Sequence, residues 1–455
     1  MTVVLTPHHP PRKLTHRRPR RPQGTLPTST RSFGSVRFVH LSFEGPDPYS
    51  RAGGLAIRVT TLAGAMAAAG ALVDLYFVGD PALPGIEERD GVTLHRWCQA
   101  ISAHAPAGVY DQEERKIEDL CVWLPAVLAN VVAADRHAGR RTIVLAEDWH
   151  MAWPLIAVHA ELVRAGLRDA ATLVWTANNR FGFDRIDFEQ LAGAAKIFTI
   201  SRAMKHLMWQ CGVNPTVVPN GVPASTFSPV PRKGRESLSN AFNARPVFAK
   251  VGRWDPDKRW AMALETIAAL RDRGERAVLL ARGWNGTAAA SAHYRELRAH
   301  ADKLGLTWAV CHEAGSDDCD LAEAVTRLMP DGAGVIELAF PVDGRQLQIL
   351  YAGVDAVLAN SGFEPFGLVG LEAMAAGAVV ITGATGEDYV IPFENGFALD
   401  TDDAREIVRC LDWLRAEPDR CRAMRANARA SARRYDWTHV IERLTLALEI
   451  KPDRL

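Results

Sequence analysis

The fourteen residues Ser361-Gly362-Phe363-Glu364-Pro365-Phe366-Gly367-Leu368-Val369-Gly370-Leu371-Glu372-Ala373-Met374 sit between a short apolar run and a stretch of helix formers. The run, Val354 to Ala359, is bounded by Gly353 and by the polar pair Asn360-Ser361, which predicts a buried strand. From Gly367 to Ala376 the composition favours a helix, and Gly377 supplies a stop. Pro365 suits the first helical turn, where a missing N–H is no loss. Strand, small-residue turn and helix follow one another, so the helix's amino end faces the strand's carboxyl edge. Open α/β sheets bind their ligands at that edge.

Two acids carry the chemistry of this stretch. Glu364 lies at the mouth of the turn, and Glu372 lies eight residues on, two helical turns deeper on nearly one face. Free N–H groups of Phe366, Gly367 and Leu368 are expected to point into the cleft and to favour an anion or sugar oxygens. A carboxylate suits a hydroxyl-rich ligand, because it accepts charge-assisted hydrogen bonds from O–H groups. On spacing alone an ordinary helix start is favoured, with Glu364 near the N-cap and Glu372 on a solvated face. The residue identities change that weighing. E-P-F-G-L-V-G-L-E-A-M resembles the E-x7-E signature of retaining nucleotide-sugar glycosyltransferases of the GT-B fold, the family-4-type group, and glycogen and starch synthases carry a related version. The resemblance implies that Glu364 lies by the donor sugar and that Glu372 binds the nucleotide ribose, with Phe366, Gly367 and Leu368 on the donor side.

At 455 residues the chain is long enough for two domains with separate cores. Hydrophobic residues at 48% and charged residues at 23% are those of an ordinary globular protein. The net charge of zero hides an uneven spread: residues 1–37 hold eight Lys/Arg and no acid, leaving 45 basic against 53 acidic residues, or −8. That balance suits an enzyme better than a nucleic-acid binder. Seven dispersed cysteines without a C-x-x-C pair argue for a reducing compartment and against a disulfide frame or zinc knuckle. Asp74 interrupts the longest apolar run, around Ala63 to Gly79, so no membrane span is expected. The basic start lacks the apolar core of a secretory signal. A cytoplasmic protein is the expectation.

Five segments follow from the pattern. Residues 1–33, rich in Pro, Arg and His, are expected to be a disordered basic tail. Residues 34–223 alternate strands and helices, 224–245 read as a linker rich in Pro, Ser and Arg, 246–430 alternate again, and 431–455 end in an amphipathic helix. Such halves predict two doubly wound Rossmann-like domains across a central cleft. In the resembled GT-B family, the first domain serves the acceptor, the second binds the donor, and the terminal helices cross back onto the first.

Further candidates cluster where strands end. Gly53-Gly54, after the first strand, let a ligand approach the backbone closely, although paired glycines also occur in turns for steric reasons alone. In the family this loop lies under the donor phosphates and the acceptor. Arg51 falls where the synthases keep the lysine of K-x-G-G-L, so a positive charge is retained. Glu147-Asp148-Trp149-His150 stand at another strand end, and Asp148-Trp149-His150 resembles the D-W-H of glycogen and starch synthases. That likeness implies that His150 approaches the donor sugar. In Ala177-Asn178-Asn179-Arg180, Asn178 stands where relatives often place a histidine, and Asn179 remains an acceptor or sugar candidate. Pro219-Asn220-Gly221-Val222 resembles the turn that closes the first domain. In Gly252-Arg253-Trp254-Asp255-Pro256-Asp257-Lys258, Arg253 offers a planar fork and Lys258 a point charge for one diphosphate. An isolated pair would read as surface cations, but G-R-x4-K matches the family's second signature, with Arg259 in place of the usual glycine. Asp318-Cys319-Asp320 has metal-ligand spacing yet reads as a solvated helix start.

The sequence therefore points to transfer of a hexosyl group from a nucleotide-diphosphate sugar to a hydroxyl acceptor (glycan, lipid or small molecule). Arg253, Lys258, Glu364 and His150 are expected to form its catalytic set. No metal or separate cofactor is required by this scheme, and no nucleic-acid or integral membrane partner is expected. A GT-B nucleotide-sugar epimerase and a non-catalytic GT-B subunit binding a glycan or partner are the alternatives.

Overall fold

A computed structural model describes residues 33–284, 288–329, 332–383 and 385–450. Its first sheet has eight strands in the spatial order Ile86–Arg89, Val92–Trp97, Leu72–Val78, Val36–Leu41, Arg141–Glu147, Ala171–Ala177, Lys196–Thr199 and Thr216–Val217. All neighbours are parallel except the outermost pair, Ile86–Arg89 with Val92–Trp97. The second sheet runs Trp308–Cys311, Val335–Leu338, Val278–Trp284, Val247–Arg253, Ala356–Ala359, Val380–Thr382 and Phe397–Ala398, all parallel. Parallel strands need crossover helices, which cover both faces of the sheet. Burial of successive positions follows: Phe38 and Val39 point to opposite faces and both are fully buried. The result is two doubly wound α/β domains.

Three features differ from the sequence reading. The edge hairpin Ile86–Arg89 and Val92–Trp97 was not anticipated, because its polar strands carry little apolar signal. The segment 224–245 contains the helix Arg232–Ala241, which packs on the helices Gly344–Gly353 and Asp320–Leu328. It buries only Gly234 and Leu238, too few apolar positions to show a helical period. The helix Glu113–His137 is long and apolar enough, by length and composition, to cross a membrane, which corrects the expectation that no segment reaches that length. In this fold its Leu120, Leu124, Leu128 and Val132 are buried, and it lies against the helix Ala152–Arg164.

The basic tail expected at residues 1–33 lies outside the described residues, apart from Phe33, which is buried in the first domain's core. At the other end, the helix Trp437–Ala447 packs against Gly54–Ala68 and contributes Trp437, Val440, Ile441 and Leu444 to that core. The returning chain runs beside the outgoing one: Val222 N–H donates to the Tyr435 carbonyl at 2.9 Å, and Trp437 N–H donates to Val222 at 3.2 Å. Gly221 permits this closeness, since a Cβ there would lie 2.5 Å from the Trp437 ring.

Candidate active site

The strand Val247–Arg253 runs straight into its ligand-side loop. Trp260 Nε1 donates to the Arg253 carbonyl at 2.7 Å, and Trp260 and Trp254 are buried with ring centroids 4.2 Å apart, so the loop rests on a rigid aromatic floor. The Lys258 stem passes over Gly252, where a Cβ would come 3.8 Å from it. Its Nζ donates to Glu364 Oε2 at 2.5 Å, and Ser361 Oγ donates to the same oxygen at 3.0 Å. Gly362 N–H donates to the Asp257 carbonyl at 2.7 Å, so backbone as well as side chain ties the two loops together. Arg253 is partly exposed and pairs with Asp255 at 3.0 Å. Arg259 takes the left-handed conformation, φ 49°, that glycine adopts freely, and its guanidinium pairs with Asp402 at 2.6 Å. Beneath the loops, the buried Lys250 donates to Asn360 Oδ1 at 2.5 Å and to the Leu358 carbonyl at 3.3 Å. Burial, then the neighbouring Lys258 charge, holds its ammonium well below the ordinary lysine range.

The central helix starts later than the sequence suggested. It spans Leu368–Ala375, capped by Gly367 in the left-handed conformation at φ 80°. Pro365 and Phe366 therefore precede the helix, and the Phe366 N–H is not one of its free donors; those of Gly367, Leu368, Val369 and Gly370 are. Phe366 serves as a wedge, buried against Tyr389 and Tyr435, and the Tyr389 hydroxyl donates to the Gly367 carbonyl. Glu364 lies outside the helix, so helical spacing does not align it with Glu372. Its position is set by a hydrogen bond from its N–H to Thr385 Oγ1 at 2.8 Å. Glu372 lies one turn into the helix, and burial alone pushes its carboxyl up to about 7.

On the opposite wall, the strand Arg141–Glu147 delivers Asp148 in a strained positive-φ backbone, φ 63° and ψ 176°. The strain is held by three contacts. The Asp148 carboxyl accepts from Asn178 N–H at 2.8 Å and Asn179 Nδ2 at 2.7 Å, and its carbonyl accepts from Trp175 Nε1 at 2.8 Å. Burial, reinforced by the charges of Glu147 and Glu44, pushes the Asp148 carboxyl up to about 7. His150 stacks between Phe43 and Trp149, with centroids 4.2 and 4.0 Å away. Burial, then the Arg185 charge, lowers it to about 3, so the ring is neutral. Its Nε2 lies 3.3 Å from Glu113 Oε2, and Nδ1 has no partner among the described residues. Gly53 and Gly54 open the helix Gly54–Ala68, and no atom lies within 4 Å of where a Gly54 Cβ would stand. Arg51 is exposed and donates to the Pro46 carbonyl at 3.2 Å.

The walls touch through the residues that follow and precede these groups. The Arg180 guanidinium, next to Asn179, lies 4.9 Å from the ring centre of Phe363, next to Glu364. Arg202 donates to Asp388 from its backbone N–H at 2.7 Å and from Nε at 3.0 Å.

Four residues of this cleft escaped the sequence reading. Glu44 caps the Gly53 loop, and Tyr110 donates its hydroxyl to Glu44. Arg58 is buried against Glu147 at 3.2 Å and also bonds Asn220 of the domain-closing turn. Glu387 is 7% exposed, and neither carboxyl oxygen has a partner among the described residues. Burial and the Glu364 charge hold it well above the carboxylate range. For Glu387 the available signal was an acid closing the glycine-rich Thr382–Glu387 loop at a strand's carboxyl end.

Residues 334–431, which include Glu364, Glu372 and Glu387, match the family of glycosyl transferases group 1. The fold is that of GT-B glycosyltransferases, and the chain is similar to members of that class. It is 26% identical over 436 residues to a D-inositol 3-phosphate glycosyltransferase of Kineococcus radiotolerans, covering 88% of this chain and 91% of the relative. Sucrose-phosphate synthase from Thermosynechococcus elongatus superposes with a TM-score of 0.63 at 20% identity, over 91% of this chain and 98% of the synthase. The E. coli trehalose-6-phosphate protein bound with UDP-2-fluoro glucose gives 0.61 at 16% identity, over 92% and 100%. At those identities the two structures establish the shared fold.

Proposed function

We propose that the enzyme moves a hexosyl group from a nucleotide-diphosphate sugar to an acceptor hydroxyl with retention at the anomeric carbon. The observation that carries this reading is the 2.5 Å pair of Lys258 with Glu364, which puts a cation and a carboxylate from the two signature loops at one point. A nucleotide-sugar needs both there, one for the diphosphate and one for hydroxyls of the sugar. A structural neighbour bound with UDP-2-fluoro glucose supports the class.

As the bond from the anomeric carbon to phosphate breaks, positive charge grows on the sugar and negative charge on the leaving diphosphate. Lys258, Arg253 and the free amides at the start of Leu368–Ala375 stabilise that negative charge. Glu364 and the neutral His150 hold the sugar, Glu372 takes the nucleotide ribose, and Asn179 keeps Asp148 in place at the acceptor side. The acceptor oxygen bonds to the anomeric carbon on the face the diphosphate leaves, and its proton passes to the departing phosphate oxygen. These protein cations supply the charge that a metal ion would otherwise provide, so transfer is expected to proceed without one. A panel of nucleotide-sugars in a thermal-shift assay identifies the donor, because a ligand of the native state raises apparent stability. With that donor, full turnover by Lys258→Ala would contradict the assignment, and loss of activity on chelation would contradict metal independence.

A further inference from the structure

The end of a helix beside a glycine loop is a ready receptor for an anion, because its first N–H groups are unpaired and its dipole is positive there. At Gly54–Ala68 the chain fills that receptor itself. Glu44, on the loop after the strand Val36–Leu41, is 4% exposed. Its Oε2 accepts from the backbone N–H groups of Ala52 at 3.3 Å, Gly53 at 2.8 Å and Ala56 at 3.1 Å, and its Oε1 accepts from the Tyr110 hydroxyl. Both oxygens of the carboxylate are thus engaged, and the N–H groups of Gly53 and Ala56, two of the helix's first four, are taken.

The rest of this wall repels an anion too. Glu113 stands 3.3 Å from His150, and the buried Asp148 feels the Glu44 charge. Two of the wall's cations are spent, Arg58 on Glu147 and Arg185 on Glu113 and Glu114, while Arg51 beside the loop and Arg180 stacked on Phe363 are exposed. Among the described residues, His150 Nδ1, on a neutral ring 6% exposed, and Asn178 Oδ1 are polar atoms of this wall without a partner, and both suit a hydroxyl. The donor side, by contrast, presents Arg253 and Lys258.

Resting on the transfer reading above, we infer that Glu44 is a specificity residue whose carboxylate occupies the place of an acceptor phosphate, so that the acceptor is an uncharged or amine-bearing polyol. Placing a second anion against Glu44 costs binding through like-charge repulsion.

Inorganic phosphate is the first probe, titrated to tens of millimolar against the full chain with UDP present, and read as a thermal shift. The same shift on phosphate is expected to be absent in wild type and present in Glu44→Ala, which frees the three amides. An equal phosphate response in wild type and variant overturns the inference. The second probe is UDP release from UDP-glucose with glucose against glucose 6-phosphate, and inositol against inositol phosphate. Wild type is expected to favour the neutral member of each pair by about tenfold or more in kcat/KM, and Glu44→Ala to narrow that ratio. Preference for the phosphorylated member overturns the inference and leaves the transferase reading standing. No UDP release with any acceptor breaks the transferase reading for this donor, and the phosphate titration still decides the role of Glu44. Glu44→Gln removes the charge, keeps the three backbone N–H bonds on its amide oxygen and turns its amide N–H toward the Tyr110 oxygen, and it carries the same acceptor comparison should the alanine variant not fold.

Discussion

The two walls of the cleft are built in opposite ways. The carboxyl-terminal wall presents partly exposed charges, Arg253, Lys258 and Glu364, on loops only a few residues from their strands. The amino-terminal wall is inward-looking: Asp148 sits in a strained backbone with its carboxyl pushed up to about 7, and His150 is a buried neutral ring. Charge that must meet a diphosphate stays near solvent, where it is cheap to keep. Groups that must position hydroxyls are held by packing, and burial strips them of charge. One wall grips by charge and the other by shape.

That contrast breaks first at Lys258. Lys258→Ala is expected to lower kcat by about a hundred- to a thousandfold, the usual cost of removing one stabiliser of developing negative charge. A steady-state assay with the matched donor checks it. His150→Ala should cost less, roughly ten- to a hundredfold in kcat, because it removes a neutral contact to the sugar. Gly221→Ala tests the point where the outgoing and returning chains meet: the added methyl meets the Trp437 ring, and urea melts should show a loss of about 1–3 kcal/mol.

The pH dependence of stability sharpens the amino-terminal side. A carboxyl near 7 in the folded chain and near ~4 when unfolded binds its proton more tightly in the native state, so stability falls as pH rises from ~4 to ~7. Glu372 contributes in the same direction. Asp148→Asn should make the fall of Tm across that window shallower, at the cost of a lower Tm overall, since its new amide must face the donor Asn179 Nδ2. The smallest effect is expected at the cleft's outer contact: Arg202 is largely exposed, and Arg202→Ala should cost no more than about 1 kcal/mol.

The walls also differ in how much of them could be read in the sequence. Gly252 to Lys258 and Ser361 to Glu372 each hold their functional residues within one short stretch of chain, so local order carries the signal. The central strands of both sheets were legible for the same reason, as short apolar runs ended by glycine or polar residues, whereas the polar edge hairpin Ile86–Arg89 and Val92–Trp97 was not. The amino-terminal wall depends on partners far apart in the chain. Arg58 meets Glu147 across 89 residues, and Tyr110 meets Glu44 across 66, with no period to betray them. The late start of Leu368–Ala375 was hidden because Phe366 packs with Tyr389 and Tyr435, a tertiary contact that overrides a locally reasonable helix.

The most direct measurement is calorimetric titration of the matched nucleoside diphosphate into wild type, Lys258→Ala and His150→Ala. Binding should weaken by about tenfold or more in Lys258→Ala and stay near wild type in His150→Ala, whose turnover falls nonetheless. Unchanged diphosphate affinity in Lys258→Ala would contradict the division of labour between the two walls.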